Sequence, residues 1–257
     1  SRLGALLNGK PKGLLSIGGF SLIEHQIAAL RACGIRRIGI VVGHGARYVR
    51  ESIGEEAEFI DNHEYASTNS LYSLWAARDW IESSFMMVNS DLFADTRIYE
   101  RVAAASGSAL AYDSGSGADP EEMKVSLQGN RVVRLSKSLP KDVSAGESIG
   151  LLKFDEVAAR RLLVAADRFV RDGSTMAWAP TAVSAIASEV RMEAVDIAGM
   201  PWTEIDFPQD FEYATSSVWQ RMKMRVQSEK RVDVSLNGAG HLPDSAQVRN
   251  GVAGRRR

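Results

Sequence analysis

Between Ser21 and Asp91 the sequence alternates helical and strand-like patterns, and few folds accept that alternation. Ser21-Leu-Ile-Glu24 is a capping box, in which the Ser21 hydroxyl and the Glu24 carboxylate each satisfy a backbone N–H of the other. Leu22, Ile23, Gln26, Ile27 and Leu30 continue at helical spacing, and Gly34 stands where a helix stop belongs. Ile38-Gly-Ile-Val-Val42 is a short β-branched run of the kind found in buried strands. A short helix at 47–53, a strand at 58–61, a helix at 71–81 and a second buried strand, Phe85-Met-Met-Val88, complete the pattern. Strands separated by helices imply right-handed βαβ units, hence an α/β fold with helices on both faces of a mainly parallel sheet.

The middle of the chain changes character. Met123–Leu127, Gly129-Asn130 and Arg131–Leu135 read as a β-hairpin around a tight turn. Helix returns at 155–166 and 181–189, a strand is expected at 192–197, and a last helix from Phe211 to about Val226. Residues 1–227 are expected to form one domain. The stretch 228–257 is rich in Gly, Asn, Ser and Arg without apolar periodicity, and is expected to be an unstructured basic tail.

The start is unusual. A doubly wound sheet opens with a strand and a glycine-rich turn, yet this chain begins Ser1-Arg2-Leu3-Gly4. Losing a central strand forfeits several buried apolar side chains at roughly 1.5–3 kcal/mol each. The natural protein is therefore expected to carry residues upstream, with the first strand missing from this chain.

Composition removes several classes of function. A net charge of −1 over 257 residues gives no basic field for nucleic acid. No apolar run has the length of a membrane span, so a cytoplasmic protein is the expectation. Cys33 is the single cysteine, which excludes an internal disulfide and a cysteine metal cluster. His25, His44, His63 and His241 lack metal-ligand spacing, and there is neither a GxSxG elbow nor a GxxxxGK[ST] loop. Gly43-His44-Gly45 is too short for a dinucleotide fingerprint.

Three stretches can carry chemistry. Arg2 and Lys12 lie on a basic segment able to bracket a triphosphate, Arg as a planar fork and Lys as a point charge. Asp91 follows the 85–88 strand at its carboxyl end, where open α/β sheets bind ligands, although an N-cap would explain it equally. In Glu204-Ile205-Asp206 a strand would turn both carboxylates to one face. Asp91 and Asp206 could together hold Mg²⁺, which takes one or two protein carboxylates and completes its octahedron with phosphate and water. Pro208 and Asp210 fit a helix start without further role.

Together these stretches resemble the bacterial phosphocholine cytidylyltransferases and their phosphonate-activating relatives, within the nucleotidyltransferase superfamily related to sugar-nucleotide pyrophosphorylases. The resemblance runs from Ser1 to about Val218 and rests on Ser1-Arg-Leu-Gly, Pro11-Lys12, Ser21-Leu-Ile-Glu-His-Gln-Ile, Tyr65 to Trp75, Asn89-Ser-Asp91 and Glu204-Ile-Asp206. Thr68-Asn69-Ser70-Leu-Tyr72-Ser-Leu is its most specific part. The resemblance implies a Rossmann-like three-layer α/β/α fold. It implies that Arg2 contacts the β- and γ-phosphates, that Lys12 meets the α-phosphate and that Asp91 and Asp206 ligate Mg²⁺. It further implies that Tyr65, Thr68 and Asn69 approach the base, that Lys137 meets the acceptor's phosphate and that Glu147 lines the acceptor side. The family's leading Leu-Ala-Ala-Gly-x-Gly run is absent.

The resemblance implies transfer of CMP from CTP to a small phosphate- or phosphonate-bearing acceptor, phosphocholine- or aminoethylphosphonate-like, with release of pyrophosphate. An acceptor phosphate, already largely dianionic at neutral pH, attacks the α-phosphorus without a general base. Positioning and charge neutralisation then carry the catalysis. An aromatic cage for choline has Trp178, Trp202 and Tyr112 as candidates, but Ala-Trp178-Ala-Pro lacks a neighbouring acidic residue. Arg168, Arg171 and Arg191 suit a more anionic acceptor or simple surface charge. A sugar-1-phosphate nucleotidyltransferase using UTP, dTTP or GTP, or an inactive start-truncated fragment, are the alternatives. A homodimer is left open.

Overall fold

The computed structural model describes residues 3–7, 9–116 and 119–225. The expected tail at 228–257 lies outside the described residues. In chain order the elements are α1 (Gly4–Leu7), a 3-10 turn at Lys12–Leu14, β1 (Ser16–Ile17), β2 (Phe20–Ser21), α2 (Leu22–Ala32), β3 (Gly39–Val42), α3 (Ala46–Ile53), β4 (Glu58–Asp61) and α4 (Ser70–Ala76). There follow β5 (Phe85–Val88), β6 (Leu92–Ala94), α5 (Thr96–Ala104), β7 (Ser108–Asp113), β8 (Lys124–Gln128), β9 (Arg131–Ser136) and β10 (Gly146–Phe154). The chain then forms α6 (Glu156–Arg171), α7 (Ala179–Ile186), β11 (Met192–Asp196), β12 (Trp202–Glu204) and α8 (Pro208–Tyr213), which runs through a π turn at Ala214–Val218 into helical residues 219–225.

Local chemistry sets the element ends. The capping box of α2 is present, with the Glu24 N–H donating to Ser21 Oγ and the Ser21 N–H to the Glu24 carboxylate at 2.6 Å. α4 stops at Ala76, short of the expected 81, and the Arg78 guanidinium donates to the Trp75 carbonyl where the next turn would have bonded. α6 instead runs past the expected 166 to Arg171, because Arg168 and Arg171 complement the negative end of the helix dipole. α7 starts two residues early because Pro180 fits a helix's first turn.

The main sheet has strand order β5-β10-β7-β11-β9-β8. β5, β7, β11 and β8 point one way and β10 and β9 the other, so strand directions are mainly parallel as expected. The ladders correct the simplest form of that expectation. Only β7–β11 is bonded in parallel within this sheet, because the reversed β10 sits between β5 and β7. β10 also carries an irregularity between Ser148 and Leu152. There Gly150, at φ 71°, lets the Asn89 side chain approach to where a Cβ would lie 2.2 Å away.

Period-two alternation builds two cores on opposite faces of the sheet. Leu110, Leu152 and Phe154 face α4, α6 and α7, whereas Ala109, Ala111, Ile149 and Leu151 face α2, α3 and α5. The three-layer α/β/α architecture follows from that division. β3 and β4 form a separate parallel pair that shares the second core. Among the described residues β5 is bonded only to β10, and β3 only to β4. All four residues of β5 are half-buried, as are Gly39–Val41, correcting the expectation of two fully buried strands. Among the described residues each therefore has one edge without a strand partner.

A third cluster lies apart from both. Leu3, Leu7, Leu15, Ile17, Leu22, Phe93, Ile205, Ala214, Val218 and Met222 pack together. Among the described residues no helix is long and apolar enough to cross a membrane.

Candidate active site

β6 and β12 form an antiparallel pair with Glu204 opposite Leu92, and the Ile205 N–H donates to the Asp91 carbonyl at 3.1 Å. Asp91, just before β6, and Asp206, just after β12, are thereby held side by side. Ile205, between the two carboxylates of its strand end, is fully buried in the third cluster and turns its neighbours outward. Lys12, at the start of the 3-10 turn, places its ammonium 2.8 Å from Asp91 Oδ2 and 2.6 Å from Asp206 Oδ1. Burial works against the Lys12 charge, but the field and hydrogen bonds of Asp91 and Asp206 outweigh it, and its pKa lies above the ordinary value.

Two further carboxylates adjoin this trio. Burial, followed by the charges of Asp91 and Glu147, pushes Glu204 up to about 8, while the Asn89 amide opposes the shift from 3.5 Å. Glu147 is also buried and is pushed up to about 7, first by desolvation and then by Glu122, Asp113 and Asp119. Ser116 Oγ lies 2.6 Å from Glu147 and 3.0 Å from Glu122. Its hydroxyl is placed to donate to either carboxylate, and its bond to Glu147 opposes the upward shift.

The Tyr65-to-Asn69 segment is docked on the segment preceding α7. The Asn69 N–H donates to Thr175 O at 3.0 Å, the Leu71 N–H to Ala177 O at 3.3 Å, and the Ala179 N–H to Ser70 Oγ at 2.9 Å. Asn69 caps α4 through the Ser70 N–H, and Thr68 donates to Glu64 O. Tyr65 is exposed and packs on Gly43, where a Cβ would lie 2.5 Å from its own. Trp178, 48% exposed, carries the Lys137 ammonium 5.2 Å above its ring, and Lys137 also pairs with Glu121 at 3.3 Å.

The structure thus joins Lys12 with Asp91 and Asp206, and Lys137 with Trp178. Among the described residues no hydrogen bond or ion pair joins the Lys137 side chain or Trp178 to the Lys12 centre. Arg2 lies outside the described residues. Trp202 is no free cage wall, since its indole N–H donates to Asp113 at 2.7 Å, and Tyr112 packs against the first core. Arg168 and Arg171 pair with Asp172 and Asp167 on the exposed face of α6. His25 is packed among Phe20, Phe93 and Trp219. Sequence reasoning gave no role to Asn89, Ser116 or Glu204; only the alternation Glu204-Ile205-Asp206 signalled the last.

The donor set suits a hard cation that keeps most of its ligands elsewhere. Asp91 Oδ1 is buried with no hydrogen-bond partner, and Asp91 Oδ2 and Asp206 Oδ1 already share one positive nitrogen. Among the described residues no cluster of three or more His, Cys, Asp or Glu forms a metal cage. Mg²⁺ needs none, because phosphate and water complete its octahedron.

A three-layer α/β/α sheet with lysine and paired carboxylates gathered at strand ends defines a nucleotidyltransferase-type protein. Residues 1–149 match the MobA-like NTP transferase domain, and the chain belongs to that family. It is 30% identical over 217 residues to the bifunctional IPC transferase and DIPP synthase of Rubrobacter xylanophilus, covering 82% of this chain and 48% of the relative. The chain therefore spans about half the length of that relative. It is 30% identical over 110 residues to the CMP-5'-(3-aminopropyl)phosphonate synthase of Streptomyces rubellomurinus, covering 41% of this chain and 18% of that protein. Among solved structures, the CTP:phosphocholine cytidylyltransferase of Streptococcus pneumoniae superposes with a TM-score of 0.67 at 22% identity, covering 84% of this chain and 92% of that one. That likeness concerns the fold.

Proposed function

We propose that this chain transfers CMP from CTP to a small phosphate- or phosphonate-bearing acceptor, releasing pyrophosphate. The observation that carries the reading is the Lys12 ammonium held between Asp91 and Asp206, 2.8 and 2.6 Å away, at the carboxyl ends of strands. The relatives named as a CMP-phosphonate synthase and an IPC transferase support the nucleotide and the acceptor class.

An acceptor oxygen attacks the α-phosphorus, a P–O bond forms there, and the bond to the β-phosphate oxygen breaks in line. Lys12 neutralises the α-phosphate as charge develops, and Arg2 holds the β- and γ-phosphates. Asp91 and Asp206 are the residues that would hold Mg²⁺, with Asp91 Oδ1 the available oxygen. When bound, Mg²⁺ supplies charge neutralisation on the triphosphate. Tyr65, Thr68 and Asn69 face the base. Lys137, Trp178 and Glu147 serve the acceptor. Because the Lys137 ammonium already covers the Trp178 ring, an anionic group is welcome there and a quaternary ammonium is repelled.

The test is pyrophosphate release with Mg²⁺, offering CTP, UTP, dTTP, ATP and GTP against phosphocholine, 2-aminoethylphosphonate, phosphonoformate, inositol-1-phosphate and glucose-1-phosphate. CTP-selective release with a non-sugar acceptor supports the proposal; release only with glucose-1-phosphate and another nucleotide overturns it. Asp91→Asn and Asp206→Asn are each expected to remove turnover while leaving Tm near wild type.

A further inference from the structure

The third core cluster is separate from the two cores of the main sheet, yet it includes residues beside each of Lys12, Asp91 and Asp206. Leu15 and Ile17 follow Lys12, Phe93 follows Asp91, and Ile205 precedes Asp206. Their common partner is the C-terminal helix, through Ala214, Val218 and Met222. We infer that this helix is a clamp that sets the spacing between Lys12 and Asp206, with Asp210 and Trp219 as its positioning residues. The roles of Lys12 and Asp206 rest on the function proposed above.

Asp210 holds one side. Its Oδ2 accepts from the Asp206 N–H at 2.9 Å and the Phe207 N–H at 2.7 Å, so the backbone that aims the Asp206 carboxylate is tied to the first turn of α8. Trp219 holds the other. Its ring packs against Gly18, where a Cβ would come 2.4 Å from the indole, and Gly18 has φ 63°. No other residue fits there without moving the ring. Beside it, His25 Nε2 bonds the Ile17 carbonyl at 2.8 Å, with the imidazole 5.4 Å from the Trp219 ring. The Leu22 N–H donates to Leu15 O and the Leu15 N–H to Lys12 O, both at 3.0 Å. The strap from Lys12 to Ser21 is therefore fastened at both ends and pressed by Trp219 in the middle.

The π turn makes this contact geometrically available. At about 100° per residue, a regular α-helix would turn Trp219 roughly 140° away from Ala214. The wider turn at Ala214–Val218 returns Trp219 toward the face that buries Ala214 and Val218. The hydroxyls of Thr215 and Ser216 donate to Phe211 O and Glu212 O, occupying carbonyls that the wider turn would leave short of partners. One rigid body thus carries Asp206 at its start and presses on the Lys12 strap further along.

The experiment pairs kinetics with a readout that needs no turnover: amine labelling of Lys12 by acetic anhydride, with exposed Lys10 as the internal reference, read by peptide mass spectrometry. Trp219→Ala and Asp210→Ala are expected to raise Lys12 labelling several-fold relative to Lys10. They should lower kcat by as much as about 10²-fold, the effect of a misplacement near 1 Å, with KM for CTP within a few-fold of wild type. Trp219→Phe and Asp210→Asn, which keep a ring and an oxygen acceptor, should restore most of both properties. The double variant should lose less than the product of the single losses, because both act on one contact. Gly18→Ala, which pushes on the ring from the other side, should reproduce Trp219→Ala and serves as the test if that variant fails to fold. Unchanged Lys12 labelling in folded Asp210→Ala and Gly18→Ala, or fully multiplicative losses, would overturn the clamp. Wild-type inactivity with every nucleotide would overturn the proposed function, while labelling would still decide the clamp.

Discussion

Lys12 meets two carboxylates at 2.8 and 2.6 Å, contributed by positions 79 and 194 residues away, whereas Lys137 meets one, Glu121 at 3.3 Å, and an aromatic face at 5.2 Å that is half open to solvent. The first centre is half-buried, charge-dense and braced by a core cluster of its own; the second lies on exposed side chains with long contacts. The difference matches their proposed tasks. Phosphoryl transfer needs groups preorganised around the charge that develops, and low local dielectric strengthens them. An acceptor subsite needs only enough contact to orient a small molecule, so it can stay open and differ among relatives that act on different acceptors.

The comparison breaks most sharply at Lys12. Lys12→Ala should lower kcat by about 10²–10³-fold, the usual loss for one preorganised donor, measured as pyrophosphate release. A loss no larger than that of Lys137→Ala would erase the distinction between the centres. On the open side, Trp178→Ala and Lys137→Ala should raise KM for the acceptor by about tenfold, ~1.4 kcal/mol, with KM for CTP unmoved; equal shifts in both would show one merged subsite.

Two smaller effects test the scaffold behind each side. Asp155 caps α6 by accepting from the Ala158 N–H at 2.9 Å and also takes the Ser108 hydroxyl. Burial opposes its charge, but these bonds prevail and its pKa lies below 3.8. Its contribution is present above that value and fades as pH falls through the lowered pKa. Asp155→Ala should lower stability by about 1 kcal/mol at neutral pH and leave KM for both substrates unchanged, read by denaturant unfolding. Glu147 has the opposite sign. With its pKa raised from 4.5 to about 7, its contribution is full below 4.5 and fades as pH rises through 7. Tm of the metal-free wild type should therefore carry a decline across that window which Glu147→Gln lacks; identical profiles would place Glu147 outside the buried network.

Much of the scaffold was legible because its determinants are local. The capping box at Ser21, the strands at 58–61 and 85–88 and the turn at Gly129-Asn130 depend on residues a few positions apart. Asp206 was legible from alternation with Ile205, and Asp210 was rightly read as a helix-start residue; that its carboxylate also holds the Asp206 backbone depends on a turn geometry no pattern displays. The half-burial of Phe85–Val88 could not be read from an apolar run. Composition reports what a segment prefers, and pairing decides what covers it.

The sequence by itself determined the α/β class, the charged residues available for chemistry and many of the elements, because helix periodicity, capping and strand alternation are short-range; α5, β7 and β10 carried no pattern that was read from it. Only the tertiary structure decided that Lys12, Asp91 and Asp206 meet, that Trp178 faces Lys137 while Trp202 is tied to Asp113, and that a π turn brings Trp219 onto Gly18. Those meetings depend on strand order and on core packing between segments far apart in the chain, where no local pattern carries the information.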